Sequence, residues 1–168
     1  MKNLEKIIES KVKIRFPDCD PFNHLNNSRY LDYFMNTRED QLLEYYDFDL
    51  HKLARNEGIS WVVAQNQIAY LVPATLRETV VIETHLINKG DKHLELEALM
   101  WNENKSVLKA VLWSKFVHFD LKTQKSRVHS PELMNFFNQI ENPLSSHFTF
   151  EKRVENIRHS GSIQPVKL

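Results

Sequence analysis

The sequence predicts a two-layer α+β domain, with one long helix lying against one curved antiparallel sheet. Two observations carry this. Between Asp18 and Tyr46 an acidic loop gives way to a run in which Leu31, Phe34, Met35, Leu42, Tyr45 and Tyr46 recur at helical intervals, the mark of one buried face. From Ile59 to Phe119 the period changes to two, in segments separated by polar turns, and one more alternating segment precedes the helix. The order β-α-β-β-β-β places a single helix on a meander rather than building βαβ repeats.

Residues 1–10 read as a short helical lead-in or a frayed end, without the apolar core of a signal peptide. Lys11 to Phe16 alternates, with Val12, Ile14 and Phe16 on one face, and Pro17 ends this strand because it has no amide to donate. Asn26 or Asn27 stands where a helix N-cap belongs. After the helix, Asp47 to Gly58 is a connection with a helical turn around Leu50–Arg55, and Gly58, one of three glycines, marks a turn. Ser60–Leu71 is β-branched and aromatic and ends near Pro73.

Thr79–Ile87 sends Val80, Ile82, Thr84 and Leu86 one way and Val81, Glu83, His85 and Ile87 the other. Asn88-Lys89-Gly90-Asp91 is a hairpin signal. His93–Trp101 sets Leu94, Leu96, Ala98 and Met100 opposite Glu95 and Glu97, and after a turn at Asn102–Ser106 the long strand Val107–Phe119 suits a central position or a bend. Ser130-Pro131-Glu132 opens a C-terminal helix carrying Leu133, Met134, Phe136 and Phe137. We read residues 1–140 as one domain and 141–168 as an appendage without periodicity, from which Phe148, Phe150 and Ile157 can dock.

The totals exclude several classes of function. Lys and Arg number 22 and Asp and Glu 22, with no basic stripe for nucleic acid. No apolar run spans a bilayer, so no membrane partner is expected. The single cysteine, Cys19, excludes an internal disulfide and fits a reducing, cytoplasmic setting. The eight histidines are scattered and form no metal-ligand motif, so no metal is expected.

The chemistry concentrates at the head of the helix. Its open amides attract a polarised carbonyl oxygen, and Asp20 stands a few residues upstream to attack that carbonyl or to activate a water. Each residue also has a structural reading. Asp20 can cap a turn before Pro21, Asn27 can serve as a plain helix start, and His24 can orient Asp20, meet the substrate or fix the loop. Asp18 suits backbone amides or Arg15, and Arg38 and Glu39 suit structural or interfacial roles. Cys19 is flanked by Asp18 and Asp20, which disfavour its thiolate and argue against a cysteine nucleophile.

The stretch RFPDCDPFNHLNNSRYLDYF resembles the signature of hotdog-fold acyl-CoA thioesterases of the 4-hydroxybenzoyl-CoA thioesterase type. Arg15, Phe16, Asp18, Asp20, His24, Leu25, Asn26, Asn27, Tyr30, Leu31, Tyr33 and Phe34 fall on that pattern, supported more weakly by Tyr70 and Pro73 and by KAVLWSKFVHFD. The resemblance implies a hotdog fold, a homodimer or homotetramer with its active site at the subunit interface, and hydrolysis of an acyl-CoA to an acid and free CoA. It implies no cofactor beyond the coenzyme A of the substrate. It maps the catalytic carboxylate to Asp20 and the oxyanion-binding amide to Asn27, with His24 beside them. Asn26 and Tyr30 are candidate substrate-binding residues, and Arg77, Lys89, Lys92 and Lys115 are candidates for a basic rim around the CoA phosphates.

Two positions depart from the patterns. Asn23 replaces a glycine, which calls for a left-handed backbone that asparagine tolerates. Phe22 stands where plant-type acyl-carrier-protein thioesterases carry asparagine, so their acid–asparagine–histidine constellation is not transferred. An acyl-carrier-protein thioesterase and a non-catalytic acyl-thioester-binding homodimer remain the alternatives.

Overall fold

The computed structural model describes residues 4–160, so positions 1–3 of the expected lead-in and 161–168 of the appendage lie outside the described residues. The first strand, β1, is Ile7–Lys13, and it pairs antiparallel with a later strand from Ile7↔His85 to Lys13↔Thr79. Here the structure corrects the reading of a helical or frayed lead-in. Ile7 and Ile8 look amphipathic locally, but pairing with a distant strand overrides that pattern. The strand also stops short of Phe16, which sits 76% exposed in a 3-10 turn, Phe16–Asp18, built on Pro17.

Asn26 caps a second 3-10 turn, Asn27–Arg29, which runs directly into α1, Tyr30–Tyr46. The buried face of α1 is only partly the expected one: Phe34 is buried and Leu31 and Met35 pack against the core. Tyr30, Tyr33, Phe34, Thr37, Arg38 and Gln41 are buried, whereas Tyr45 is exposed. Gln41 Nε2 donates to the Ile82 carbonyl at 3.1 Å, and Thr84 Oγ1 donates to Gln41 Oε1 at 2.5 Å. Hydrogen-bonded polar side chains can enter a core, and an apolar count does not register them. Asp47, at φ 52°, ends α1, and α2, Leu50–Glu57, stops at Gly58, where φ is 68° and a side chain would be strained.

Four long strands follow: β2, Ile59–Tyr70; β3, Thr79–Lys89; β4, His93–Asn102; and β5, Leu108–Asp120. All pair antiparallel in the order β1-β3-β4-β5-β2, and a short β6, Lys125–Ser126, pairs with β5. This is the hotdog arrangement: a curled sheet holding one long helix. The core under α1 contains Val80, Ile82, Ala98 and Met100, which the alternation sets on one face of their strands, together with Ala110 and Leu112 of β5. The C-terminal helix α3, Pro131–Ile140, starts as expected, with Ser130 Oγ accepting from the Leu133 amide, and packs Phe137 and Ile140 on Leu86.

The opposite face of the sheet carries an element the sequence reading lacked. Helix α4, Phe150–Ser160, buries Phe150, Val154 and Ile157 against Leu99, Leu108 and Val111. Its anchor is ionic: Arg153 donates to fully buried Glu97 through Nε at 2.8 Å and Nη2 at 2.6 Å, and Trp113 Nε1 donates to the same carboxylate at 2.8 Å. No described helix is long and apolar enough to cross a membrane.

Candidate functional site

The acidic loop is folded by its own side chains. The Asp20 amide donates to the His24 carbonyl at 2.8 Å, and the Asn23 amide donates to the Asp20 carbonyl at 3.0 Å. Asp20 Oδ1 accepts from the amides of Phe22, at 2.9 Å, and His24, at 3.1 Å. The second oxygen, Oδ2, takes no hydrogen bond among the described residues. The turn reading and the reactive-carboxylate reading of Asp20 are therefore compatible, because they use different oxygens. Asn23 has φ 60°, the left-handed geometry its replacement of glycine calls for.

The helix head supplies a free donor. Asn26 Oδ1 accepts from Ser28 N at 3.0 Å and from Ser28 Oγ at 2.9 Å, and the Arg29 amide donates to the Asn26 carbonyl at 2.8 Å. The Asn27 amide, first in the turn, has no protein acceptor among the described residues, as expected of an opening helical amide. Asn26 acts on this geometry as the cap.

Asp20, His24, Leu25, Asn27, Tyr30 and Tyr70 line one open chamber of about 140 Å³, with Leu71, Val72 and Pro73 completing its wall. Tyr70 comes from the end of β2, and its hydroxyl donates to the Asn27 carbonyl at 3.1 Å. The buried Tyr30 hydroxyl accepts from the Ala74 amide at 3.0 Å, and the two tyrosine rings meet edge-on with centroids 5.2 Å apart. Burial raises the Tyr30 pKa, so its phenol stays protonated at neutral pH. The loop is also stitched to the connection between β2 and β3: Leu25 N donates to the Ala74 carbonyl at 2.8 Å, and Leu76 N donates to the Asn23 carbonyl at 2.9 Å.

Asp18 turns away from this chamber. It accepts from Tyr33 Oη at 2.7 Å and lies 3.7 Å from Arg29 Nε. Its link to Arg15 is indirect, through the Arg15 amide donating to the Tyr33 hydroxyl at 3.0 Å. Burial, with Asp18 adding to it, pushes the Tyr33 pKa up to about 12. The Cys19 thiol donates to the Arg15 carbonyl at 3.4 Å, and burial followed by the charges of Asp18 and Asp20 raises its pKa. That matches the argument against a cysteine nucleophile.

The expected basic rim is scattered. Arg77, at φ 65°, is exposed beside the loop, and its amide donates to the Ile14 carbonyl at 3.1 Å. Lys89 pairs with Glu141 at the far end of β3, about 30 Å along an 11-residue strand from Thr79. Lys92 is exposed in the β3–β4 turn, and Lys115 lies 3.6 Å from Glu95. Within one protomer, none of these four lines the Asp20 chamber. On the other side of the acidic loop, Lys11, Lys13, Arg15 and Arg29 line a polar groove of about 590 Å³ with Asp18 and Tyr33. The alternation of Lys11, Lys13 and Arg15 along β1 and beyond was the available signal for them.

Comparison with known proteins shows the family and the fold. The Thioesterase-like superfamily profile matches residues 14–137. The long-chain acyl-CoA thioesterase FadM of Escherichia coli K12 is 31% identical over 133 residues, covering 79% of this chain and 98% of FadM. The crystal structure of YbaW, a probable thioesterase from Escherichia coli, superimposes with a TM-score of 0.69 at 28% identity, over 80% of this chain and 98% of that one. A DHNA-CoA thioesterase from Staphylococcus aureus shares the fold at a TM-score of 0.71 and 14% identity, over 96% of this chain and 99% of that one. With the motif loop, the helix-in-sheet topology and a profile match from the first strand's end to the third helix, the chain belongs to the thioesterase-like superfamily.

Proposed function

We propose that the protein hydrolyses an acyl-CoA thioester to the carboxylic acid and free CoA. The observation that carries this reading is the shared chamber, which holds a carboxylate with one uncommitted oxygen, on Asp20, and the acceptor-free amide of Asn27. Hydrolysis needs an oxygen delivered to the thioester carbon and a donor for the oxygen that becomes negative. Asp20 delivers it, as nucleophile or by taking a proton from water. The Asn27 amide meets the oxyanion with the helix dipole behind it. The thiolate of CoA is a good leaving group, so no strong general acid is required. His24 holds the Asp20 loop through its main chain, and Tyr70 steadies Asn27 through its carbonyl.

The working form is a homodimer or homotetramer, acting in the cytoplasm. Strand β2 ends the sheet with Val62 and Val63 41% and 47% exposed. An unpaired apolar edge invites pairing with a second copy, and Tyr70 on the same strand would bring the chamber close to that joint.

The relation to FadM directs substrate choice toward long acyl chains first. A thiol-release screen over short, long and aromatic acyl-CoAs, with the same acyl groups carried on acyl-carrier protein, tests the reading. Release from CoA esters supports it. Faster release from the protein carrier moves the assignment to that carrier, and tight binding without release over hours indicates a non-catalytic binder.

A further inference from the structure

A separate cavity of about 310 Å³ lies along the second half of α1, walled by Met35, Leu42, Phe48, Trp61, Leu96 and Phe137 among others. Its size is at the lower end for small-molecule sites, and its lining is mostly apolar. Among the described residues, the charged ones that border it are Arg38 and Glu39. Glu39 is exposed at the lip and already pairs with His51 at 2.6 Å.

Arg38 is different. It is 9% exposed, and Nη1 donates to Thr84 Oγ1 at 3.1 Å, with the Tyr46 hydroxyl as its other polar neighbour. Among the described residues no carboxylate stands in ion-pair range of it. Burial lowers its pKa to about 10, which still leaves it charged at neutral pH. A guanidinium presents five donors in a planar fork, and buried cations are normally paired. Arg38 borders the cavity, which gives an anion an approach to it, and apart from Glu39 at the lip the rest of the lining is suited to hydrocarbon.

We propose that this cavity binds a free fatty carboxylate, with its chain among the apolar walls and its carboxylate on the Arg38 guanidinium. The pairing is bidentate in the usual arginine–carboxylate manner. An acyl chain still held as a thioester has no free carboxylate and leaves Arg38 unmatched, whereas the released acid satisfies it. The cavity shares no lining residue with the Asp20 chamber, so the inference goes beyond the hydrolytic reading and does not rest on it.

The test is titration of the full-length protein with dodecanoate and with dodecanol, followed by calorimetry and by the fluorescence of Trp61 in the cavity wall. Dodecanoate should bind, and Arg38→Met should weaken it by about tenfold or more, the loss of a charged hydrogen-bonded pair. Dodecanol binding should be nearly the same in both proteins. Leu42→Trp, which fills the cavity from a half-exposed position, should weaken both ligands, and Asp20→Asn should bind dodecanoate like the native chain. Equal affinity for dodecanoate and dodecanol in the native protein, or native dodecanoate affinity in Arg38→Met, overturns the proposal. Hydrolysis by these proteins is read separately, so failure of one assignment is not failure of the other.

Discussion

Asp20 and His24 clasp each other across the loop: the Asp20 amide donates to the His24 carbonyl at 2.8 Å, and Asp20 Oδ1 accepts the His24 amide at 3.1 Å. The same Oδ1 also accepts from Phe22 N. Asparagine keeps an oxygen at that position, and alanine does not. Asp20→Ala should therefore lose two side-chain hydrogen bonds, about 1–3 kcal/mol of stability, while Asp20→Asn should stay within about 0.5 kcal/mol of the native chain. Urea unfolding of both variants checks this, and equal stability of the two would show that the Oδ1 bonds contribute nothing.

Asn23 holds φ at 60°. Asn23→Gly should be neutral or slightly stabilising, because glycine takes that conformation freely. Asn23→Val should cost about 1–2 kcal/mol, since a β-branched side chain is strained there. Thermal melts of the pair rank the two substitutions, and the reverse order contradicts the geometry.

Glu97 is fully buried and holds Arg153 with two hydrogen bonds. Arg153→Ala leaves that charge without its cation, at a cost of about 3–5 kcal/mol. A double change, Arg153→Met with Glu97→Gln, should cost less than the single one. Hydrogen exchange should report the loss first in α4, because Arg153 ties that helix to the sheet. Undiminished protection of 150–160 in Arg153→Ala would remove the anchor role.

His118 and His129 stack with centroids 4.8 Å apart, and they are 1% and 4% exposed. Burial lowers the pKa of each below the ordinary 6.5. Trp61 Nε1 lies 3.1 Å from His129 Nε2, which must accept there, so His129 Nδ1–H donates to the Gly90 carbonyl. A second proton on His129 would set two N–H groups against each other. In the unfolded chain both imidazoles take up protons near pH 6.5, whereas the folded chain resists to lower pH. The unfolded state therefore binds more protons in that window, and stability is present above about pH 6.5 and lost as pH falls below it. Unfolding free energies at pH 7.5 and 5.5 should show the fall, with a shallower one in His129→Phe.

Much of this molecule is legible in its sequence. The alternation in Thr79–Lys89 and His93–Asn102 gives strand faces directly, since both faces report the same register. The acidic loop is legible because Asp20, His24 and Asn27 lie within eight consecutive residues and are brought together by local turns. Features that depend on distant partners are harder to see. The buried face of α1 includes Arg38 and Gln41, which become core residues only when Thr84 and Ile82 arrive to bond them. Helix α4 did show a spacing, in Phe150, Val154 and Ile157, but three apolar residues in a charged segment need the Arg153–Glu97 pair to hold them down. The pairing of Lys89, a candidate for the basic rim, with Glu141 is not visible in the sequence because the two are 52 residues apart.

The most direct test is steady-state thiol release from a long-chain acyl-CoA by the native protein and by Asp20→Asn. The substitution preserves the loop's Oδ1 acceptor and removes only the charge and basicity of the carboxylate. The account predicts a folded variant, with native melting behaviour, whose kcat falls by at least about a hundredfold, the scale on which a lost catalytic base or nucleophile is felt. A variant that turns over within a few-fold of the native rate would show that another group carries the hydrolysis.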